Sequence, residues 1–475
     1  MSGLLPLLIL ATALVPSVAT FFLPEARATW RNGLNLAGAV VKLGLVVALL
    51  AEVADGAVHE ASLELAPGLV LLLRGDALAL LFVALSTMLW LLTTLYAIAY
   101  FNGGANLSRF FGFFSLCVFS TTGIAFAGTL VTFFIFYELL TLATWPLVVH
   151  KGNAAAIRAG RTYLVHTLGG SAVLFAGIIW LESLTGPVAF TDPPDLSGID
   201  PWTLRAIFVL LIGGLGVKAA LIGLHRWLPA AMVAPAPVSA LLHAVAVVKA
   251  GAFGIVRVTY DVFGIATVDA LFLALPLALV ASATILYGSL KAIAQTELKR
   301  LLAYSTVSQV SYIVLGAALF SPFGTIGGLI HLVHQGLMKI TLFFCAGIFD
   351  ERAGVHAIRE LDGIGPKMPI TSVAFSLGAF GMMGLPPIAG FVSKWYLGIG
   401  ALDAGQAWVV AVLAGSSLLN AVYFLPVLYR MWFAEAGDNA AAAAAERPLF
   451  LIAPPILTAA AALGVGLFAA FAYSP

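Results

Sequence analysis

Long apolar runs separated by short polar stretches occupy the chain from end to end. A helix needs about 20 mainly apolar residues to cross a bilayer. By that measure the pattern predicts about fourteen spanning helices. They fall near residues 3–23, 33–53, 78–101, 109–128, 130–149, 161–183, 204–224, 238–262, 268–290, 301–320, 324–349, 369–400, 407–432 and 449–472. The expected class is therefore an all-α, polytopic membrane protein. Two runs are broken. "LHRWLPAAMVAPAPVSALLHAVAVVKAG", residues 224–251, places Pro229, Pro235 and Pro237 close together, and "GLPPIAG" places Pro386 and Pro387 inside the twelfth run. Irregular backbone is tolerated at membrane depth only where protein buries it or water lines it. Each break has a lysine nearby, Lys218 and Lys394, and paired breaks of this kind point to inverted repeats with a transport path at their interface. The expected layout is three N-terminal helices over residues 1–107, repeats over 108–265 and 266–435, and a last helix over 436–475.

The polar stretches set the orientation, because basic residues collect on the inner side of a membrane. With the N-terminus outward, the inner loops hold Arg27, Arg31, Arg109, Lys151, Arg158, Arg161, Arg226, Lys291, Lys299, Arg300, Arg352, Arg359, Lys367, Arg430 and Arg447. The outer side holds Arg74, Arg205 and Arg257. Both termini are expected outside a plasma or inner membrane, which requires an even number of spans. The longest polar pieces, 54–77, 184–203 and 350–368, are too short for a separate soluble domain. "NAAAAAAERP", Asn439 to Pro448, reads as a connector. The apolar N-terminus lacks a basic leader segment and reads as a first span rather than a cleaved signal.

Composition agrees: 61% of the 475 residues are hydrophobic and 9% are charged, against roughly 25% charged in soluble domains. A net charge of +1 argues against a nucleic-acid partner. Cys117 and Cys345 sit far apart in apolar runs and read as small packing residues. There is no GxxxxGK[ST] loop, GxGxxG fingerprint, CxxC cluster or paired-histidine metal motif. No cofactor, metal or redox centre is expected, and any driving reaction belongs to partners.

Five ionisable residues lie well inside apolar runs: Glu138, Lys218, Lys249, Lys339 and Lys394. Each costs about 2.5–3.5 kcal/mol at a helix centre. The plainer reading of each is a static ion pair or a snorkelling side chain. One carboxylate cannot neutralise four lysines, however, and a low dielectric favours the uncharged amine. A proton relay fits that imbalance better. His225 follows Lys218 by seven residues, about 10 Å along a continuous helix, and His243 precedes Lys249 by six. His331 and His334 share a helix face ahead of Lys339. His243 and His331 are expected in the relay, with His225, His334 and Gln335 as further candidates. His166 reads as an ordinary hydrogen-bonded core residue. Lys42, in "AVVKLGLVV", has no partner in sequence; snorkelling, contact with a neighbouring protein and function remain open.

At these residues the chain resembles the antiporter-like, proton-conducting membrane subunits of respiratory complex I, membrane-bound hydrogenases and Mrp-type cation/proton antiporters. The resemblance covers roughly residues 75–435 and centres on "HRWLPAAMVAPAPVSALLHAVAVVKAG". It is supported by "YELLTLATWPLVVHKG", "LKRLLAYSTVSQVSYIVLG", "HLVHQGLMKITLFF" and "GLPPIAGFVSKWYLG". The D-type component of Mrp antiporters looks nearest. The resemblance implies fourteen helices, two inverted five-helix repeats and discontinuous seventh and twelfth helices. It also implies a Glu138–Lys218 pair and a lateral relay through Lys249 and His331/Lys339 to Lys394. One departure stands out. The family usually reads His-x-x-Asn-His before the eleventh-helix lysine, whereas here the second histidine, His334, is displaced by about 100° around the helix and Gln335 follows it.

The leading expectation is a proton-translocating subunit working with other membrane subunits, most nearly in a Na⁺/H⁺ antiporter. Alternatives are a pumping subunit of a complex I-like or hydrogenase complex, a proton-conducting subunit coupled to inorganic-carbon uptake, and a non-conducting scaffold. Sodium prefers hard oxygen ligands, and Glu138 is the one clear intramembrane carboxylate, so any sodium route is expected largely in partners.

Overall fold

The structure, a computed structural model, describes residues 3–66 and 69–469. Among these, thirteen helices are long and apolar enough to cross a membrane. A further crossing is made of two shorter helices, so the expected runs are all present. The final residues expected in the last span lie outside the described ones.

The chain divides into two compact units. The first comprises Met1–Thr94, Phe101–Ala219 and Val245–Leu273. It holds α1 (Leu4–Phe21), α2 (Ala28–Ala54), the hairpin β1 (His59–Ala66) and β2 (Leu69–Gly75), and most of α3 (Ala77–Tyr100). After these come α4 (Leu107–Phe126), α5 (Leu130–Val148), α6 (Ala154–Thr185) and α7 (Pro201–Lys218). The antiparallel hairpin pairs His59 with Gly75 and Leu63 with Leu71, an addition to the all-helical pattern. Four helix starts in this unit, those of α3, α5, α6 and α7, are capped by the polar side chain just before them, which satisfies an amide group that lacks a helical partner. Asp76 accepts from Ala79 N (2.7 Å), Thr129 from Thr132 N (3.1 Å), Asn153 from Ala156 N (2.8 Å) and Asp200 from Thr203 N (3.0 Å). Glu25 caps α4 from a distant loop, taking Leu107 N and Ser108 N at 3.0 Å each.

The second unit comprises Leu95–Tyr100, Ala220–Ala244 and Ala274–Pro475. It includes the short helices α8 (Trp227–Ala230) and α9 (Ala236–Ala240). The α10 helix (Val247–Arg257) and α11 (Ile265–Ala270) return to the first unit. The rest of the second unit is α12 (Ala274–Ile293), α13 (Leu298–Ala318), α14 (Pro322–Ala353), α15 (Pro369–Met383), α16 (Ala389–Asp403), α17 (Trp408–Phe433), α18 (Asp438–Ala442) and α19 (Leu449–Leu467). Within it α14 is the central post, packed by α13, α15, α16 and α19. Nearly all of its residues from Gly327 to Phe349 are buried.

The interruptions are longer than the prolines suggest. Helix α7 ends at Lys218, eleven residues before Pro229, and irregular backbone follows with positive φ at Ala220 (59°) and Gly223 (83°). Pro229 lies within the single turn of α8, Pro235 caps α9 and Pro237 sits in its first turn. Proline is tolerated at helix starts, where no amide donor is needed. The open Ile222 N is satisfied by Thr284 Oγ1 at 3.0 Å. A π-helical turn follows at Leu241–Val245, and Ala246 leaves the helical region (φ −117°, ψ −84°) just before α10. The twelfth crossing breaks between α15 and α16. Gly384 takes a left-handed φ of 88°, and Pro386 and Pro387 fill the gap.

Candidate functional site

In the first unit the end of α7 carries Lys218, which is 1% exposed. Its ammonium donates to the Tyr137 carbonyl of α5 and lies 3.3 Å from the centre of the Tyr137 ring. Glu138 is the next residue, half-buried, with Oε1 enclosed and without a protein hydrogen bond. The two side chains are neighbours through Tyr137 and form no direct ion pair. Lys249 on α10 is fully buried, three residues beyond the Ala246 irregularity. Gly251 brings α10 against the end of α7: a Cβ at 251 would fall 2.2 Å from Ala219 N and 2.7 Å from Lys218 C. Backbone contact of that kind fixes the two lysine-bearing helix ends to each other.

In the second unit a polar seam runs between α13 and α14. Lys339, fully buried, donates to Ser305 Oγ and to Leu302 O (3.1 Å). Its helix neighbours one and two turns earlier, Gln335 and His331, continue the same face. On α13 the matching stripe is Ser305, Gln309 and Tyr312. His331 stacks on Tyr312 with ring centres 5.0 Å apart, so the helices run antiparallel in register and Gln335 comes level with Gln309. Both amides are buried, and none of their four polar atoms has a protein partner. Buried polar atoms normally find one, in protein or water, so this middle rung has the chemistry of a hydrated step. His331 Nδ1 bonds Ser393 Oγ at 2.7 Å, and the next residue is Lys394.

Lys394 occupies the break of the twelfth crossing. Its ammonium donates to Met382 O (3.0 Å), Met383 O (3.0 Å) and Ser417 Oγ (2.9 Å). The first two are carbonyls left open by the end of α15, which carries the negative pole of a helix dipole. Asn420 holds Met382 O as well (2.9 Å), and Tyr423 holds Asn420 (2.5 Å). A cavity of about 430 Å³ reaches Lys394 and Ser417 from an otherwise apolar wall that includes Phe391, Trp395 and Leu413.

Three further candidates, His243, His225 and His334, are buried. His243 is fully buried, its ring 4.5 Å from Phe343, and neither ring nitrogen has a protein partner. His225 packs against Tyr287, ring centres 5.0 Å apart. His334 is buried one residue off the Lys339–Gln335–His331 stripe. His166 is half-buried and bonds Thr162 O of its own helix (2.8 Å). Sequence reasoning missed Ser305, Gln309, Tyr312, Ser393, Ser417 and Asn420. Their one signal was hydroxyl and amide residues at helical spacing inside apolar runs.

Among the described residues, no Asp or Glu oxygen lies within 4.0 Å of the Lys218, Lys339 or Lys394 ammonium. These cations are held by carbonyl and hydroxyl oxygens and aromatic faces. No carboxylate contact holds these amines in their charged form.

Residues 127–420 match the family described as NADH:quinone oxidoreductase/Mrp antiporter, transmembrane. The chain is 36% identical over 462 residues to NADH-quinone oxidoreductase subunit N of Desulforudis audaxviator, covering 94% of this chain and 90% of that protein. It is 30% identical over 360 residues to hydrogenase-4 component B of Escherichia coli, a match that covers 73% of this chain and 53% of the relative. Among solved structures, the Mrp complex from Dietzia sp. DQ12-45-1b contains a chain that superposes with a TM-score of 0.84. The identity is 25%, and the match covers 98% of this chain and 95% of that one.

Proposed function

We propose a function from one premise: the chain belongs to the NADH:quinone oxidoreductase/Mrp antiporter transmembrane family. It is an antiporter-like, proton-translocating membrane subunit of a multi-subunit complex. The observation that carries this reading is the solvation of Lys218, Lys339 and Lys394 by neutral dipoles, with no carboxylate in contact. A static ion-pair scaffold would pair them.

In this reading Glu138 sets the charge around Lys218, and Lys218 exchanges a proton with Lys249 on the adjoining helix end. His243, Lys339 and the Gln335/Gln309 rung pass it on to His331, and Lys394 exchanges it with one side of the membrane. His225 and His334 stand beside this line, as alternative stops. Residues 108–265 and 266–435 act as two inverted repeats. The support is a helix interruption in each, at 219–226 and 384–388, with a lysine beside it. Both termini face outward in a plasma or inner membrane, with the basic loops inside.

The host complex is Mrp-like in the sequence reading, with this chain nearest to the D-type component and sodium crossing largely in partner subunits. A second host is favoured by the near full-length match to an NADH-quinone oxidoreductase subunit N: a redox-driven complex in which this chain pumps. The test uses the intact complex, purified through a tag on this chain and reconstituted in vesicles with a pH-sensitive dye. Lys218→Ala and Glu138→Ala should each lower proton flux tenfold or more while the complex stays assembled. Undiminished flux in both variants overturns the reading. The proteins that co-purify, redox subunits or small antiporter subunits, identify the host.

A further inference from the structure

Lys42 takes no part in the line of groups above. It lies near the middle of α2, about 21 Å along the helix from its start, and is fully buried. Val40, Val41 and Val47, on other faces of the same helix, are exposed. The amine is therefore aimed into the first unit, away from lipid and from any neighbouring protein. It donates to Thr122 Oγ1 of α4 (2.5 Å) and lies 5.4 Å from the Trp90 ring. Thr122 gives its own proton to Val118 O (2.7 Å). An ammonium has three donors, and among the described residues no carboxylate lies within 4.0 Å. A permanent cation would be poorly served here.

A buried polar seam leads to it. Asn35 and Arg31 lie two and three turns before Lys42 on the same face of α2. They meet α4 at hydroxyls seven residues apart: Arg31 with Ser108 (3.4 Å), Asn35 with Ser115 (2.5 Å), then Lys42 with Thr122. Asn35 also reaches Thr20 of α1 (3.3 Å). The far end opens at Glu25, whose half-exposed carboxylate lies 3.4 Å from Arg31. Between Asn35 and Lys42, Gly38 admits α1 so closely that a Cβ would fall 2.5 Å from Thr12 O. That carbonyl lacks its usual helical donor, because Pro16 has no N–H. A lysine side chain leans toward the start of its own helix, here over Gly38. On α3, Thr87 Oγ1, Trp90 Nε1 and Thr94 Oγ1 share one face and are buried without protein partners. Polar atoms in that setting call for water.

We propose that Lys42 is a proton-binding site fed along the α1–α2–α4 seam from the Glu25 end. It forms a branch separate from the Glu138–Lys218 and Lys339–Lys394 stations. Hydronium at the Glu25 end supplies the proton. Water carries it across the roughly 10 Å steps between seam hydroxyls, and it binds the free electron pair of Lys42 Nζ. Release reverses the step, with no other bond made or broken.

The proposal rests on the reading that the chain moves protons, so Lys218→Ala serves as the control for that reading. In vesicles holding the intact complex, Lys42→Met fixes the site uncharged and Lys42→Arg fixes it charged. Both should lower the initial rate fivefold or more, because a cycling site needs both states. Wild-type rates in both would make Lys42 a packing residue. Loss in Lys42→Met with full activity in Lys42→Arg would make it a fixed cation. Either result overturns the proposal, while an active Lys218→Ala complex strikes the earlier reading instead. Should the Lys42 variants fail to assemble, Glu25→Gln keeps one of its two capping bonds on α4 through the amide oxygen. It should cut the rate threefold or more at alkaline pH, where protons must be captured, and leave the acidic rate unchanged. Unchanged rates at both ends of the range would overturn the proposal.

Discussion

Gly251 offers the sharpest test of how packing sets the chemistry. Adding one methyl group, Gly251→Ala, puts a carbon 2.2 Å from Ala219 N, 2.7 Å from Lys218 C and 2.8 Å from Leu215 O. Non-bonded heavy atoms settle near 3.5 Å, so α7 and α10 must part by about 1 Å. All three obstacles are backbone, and no side chain can swing aside. Overpacking of this kind costs about 1–3 kcal/mol of stability. The displacement falls on the helix end that presents Lys218 to Tyr137 O. A 1 Å misplacement of a reacting group can lower a rate about a hundredfold, so flux should fall by between tenfold and a hundredfold. Gly254→Ala is the matched comparison, since its Cβ would meet the tips of Leu215 and Phe133 at 2.5 and 2.7 Å, which can rotate away. The assay is thermal unfolding of the purified complex beside dye-monitored flux in vesicles. Equal flux in the two variants, or wild-type behaviour of Gly251→Ala in both measurements, would refute the reasoning.

Further expectations follow the same geometry. Ser305→Ala removes one acceptor from Lys339 and leaves Leu302 O, so flux should fall severalfold with assembly intact, as read in vesicles. Asn420→Ala removes one of the two donors to Met382 O, which keeps Lys394, and takes the Oδ1 acceptor from the buried Tyr423 hydroxyl. It should cost about 1–3 kcal/mol, seen as a lower unfolding temperature of the complex. His150 lies in the loop after α5, where burial first and the Arg109 charge second push its pKa down to about 4. The folded state therefore resists a proton that the unfolded chain accepts near pH 6.5. Stability should decline as pH falls from about 6.5 toward 4, and His150→Gln should flatten that decline in unfolding scans.

Much of this architecture could be read from the residues before any coordinates. Twenty-residue apolar runs mark the spans because a bilayer admits little else, and "GLPPIAG" marks the break in the twelfth. Glu138 and the four lysines declare themselves by cost. Other features depend on contacts that no local pattern encodes. Helix α7 stops at Lys218, where the sequence "GVKAALIG" reads as continuous helix, and the prolines thought to open it only start the next short helices. The charges at Glu60 and Glu64 disguise residues 59–75 as a polar loop, although they pair as a hairpin. Lys42 seemed solitary because its acceptor, Thr122, lies eighty residues away. The hydroxyls at 108, 115 and 122 were visible, but their heptad spacing gains meaning only once α2 lies against it.

The three oxygens around Lys394 match the three hydrogens of an ammonium one for one. An uncharged amine keeps two hydrogens for the two carbonyls and presents an electron pair to Ser417, whose hydroxyl can turn and donate. Both forms are then satisfied by the rotation of a single O–H, an event of picoseconds to nanoseconds. Turnover at this station therefore need not wait for a slow rearrangement of the chain.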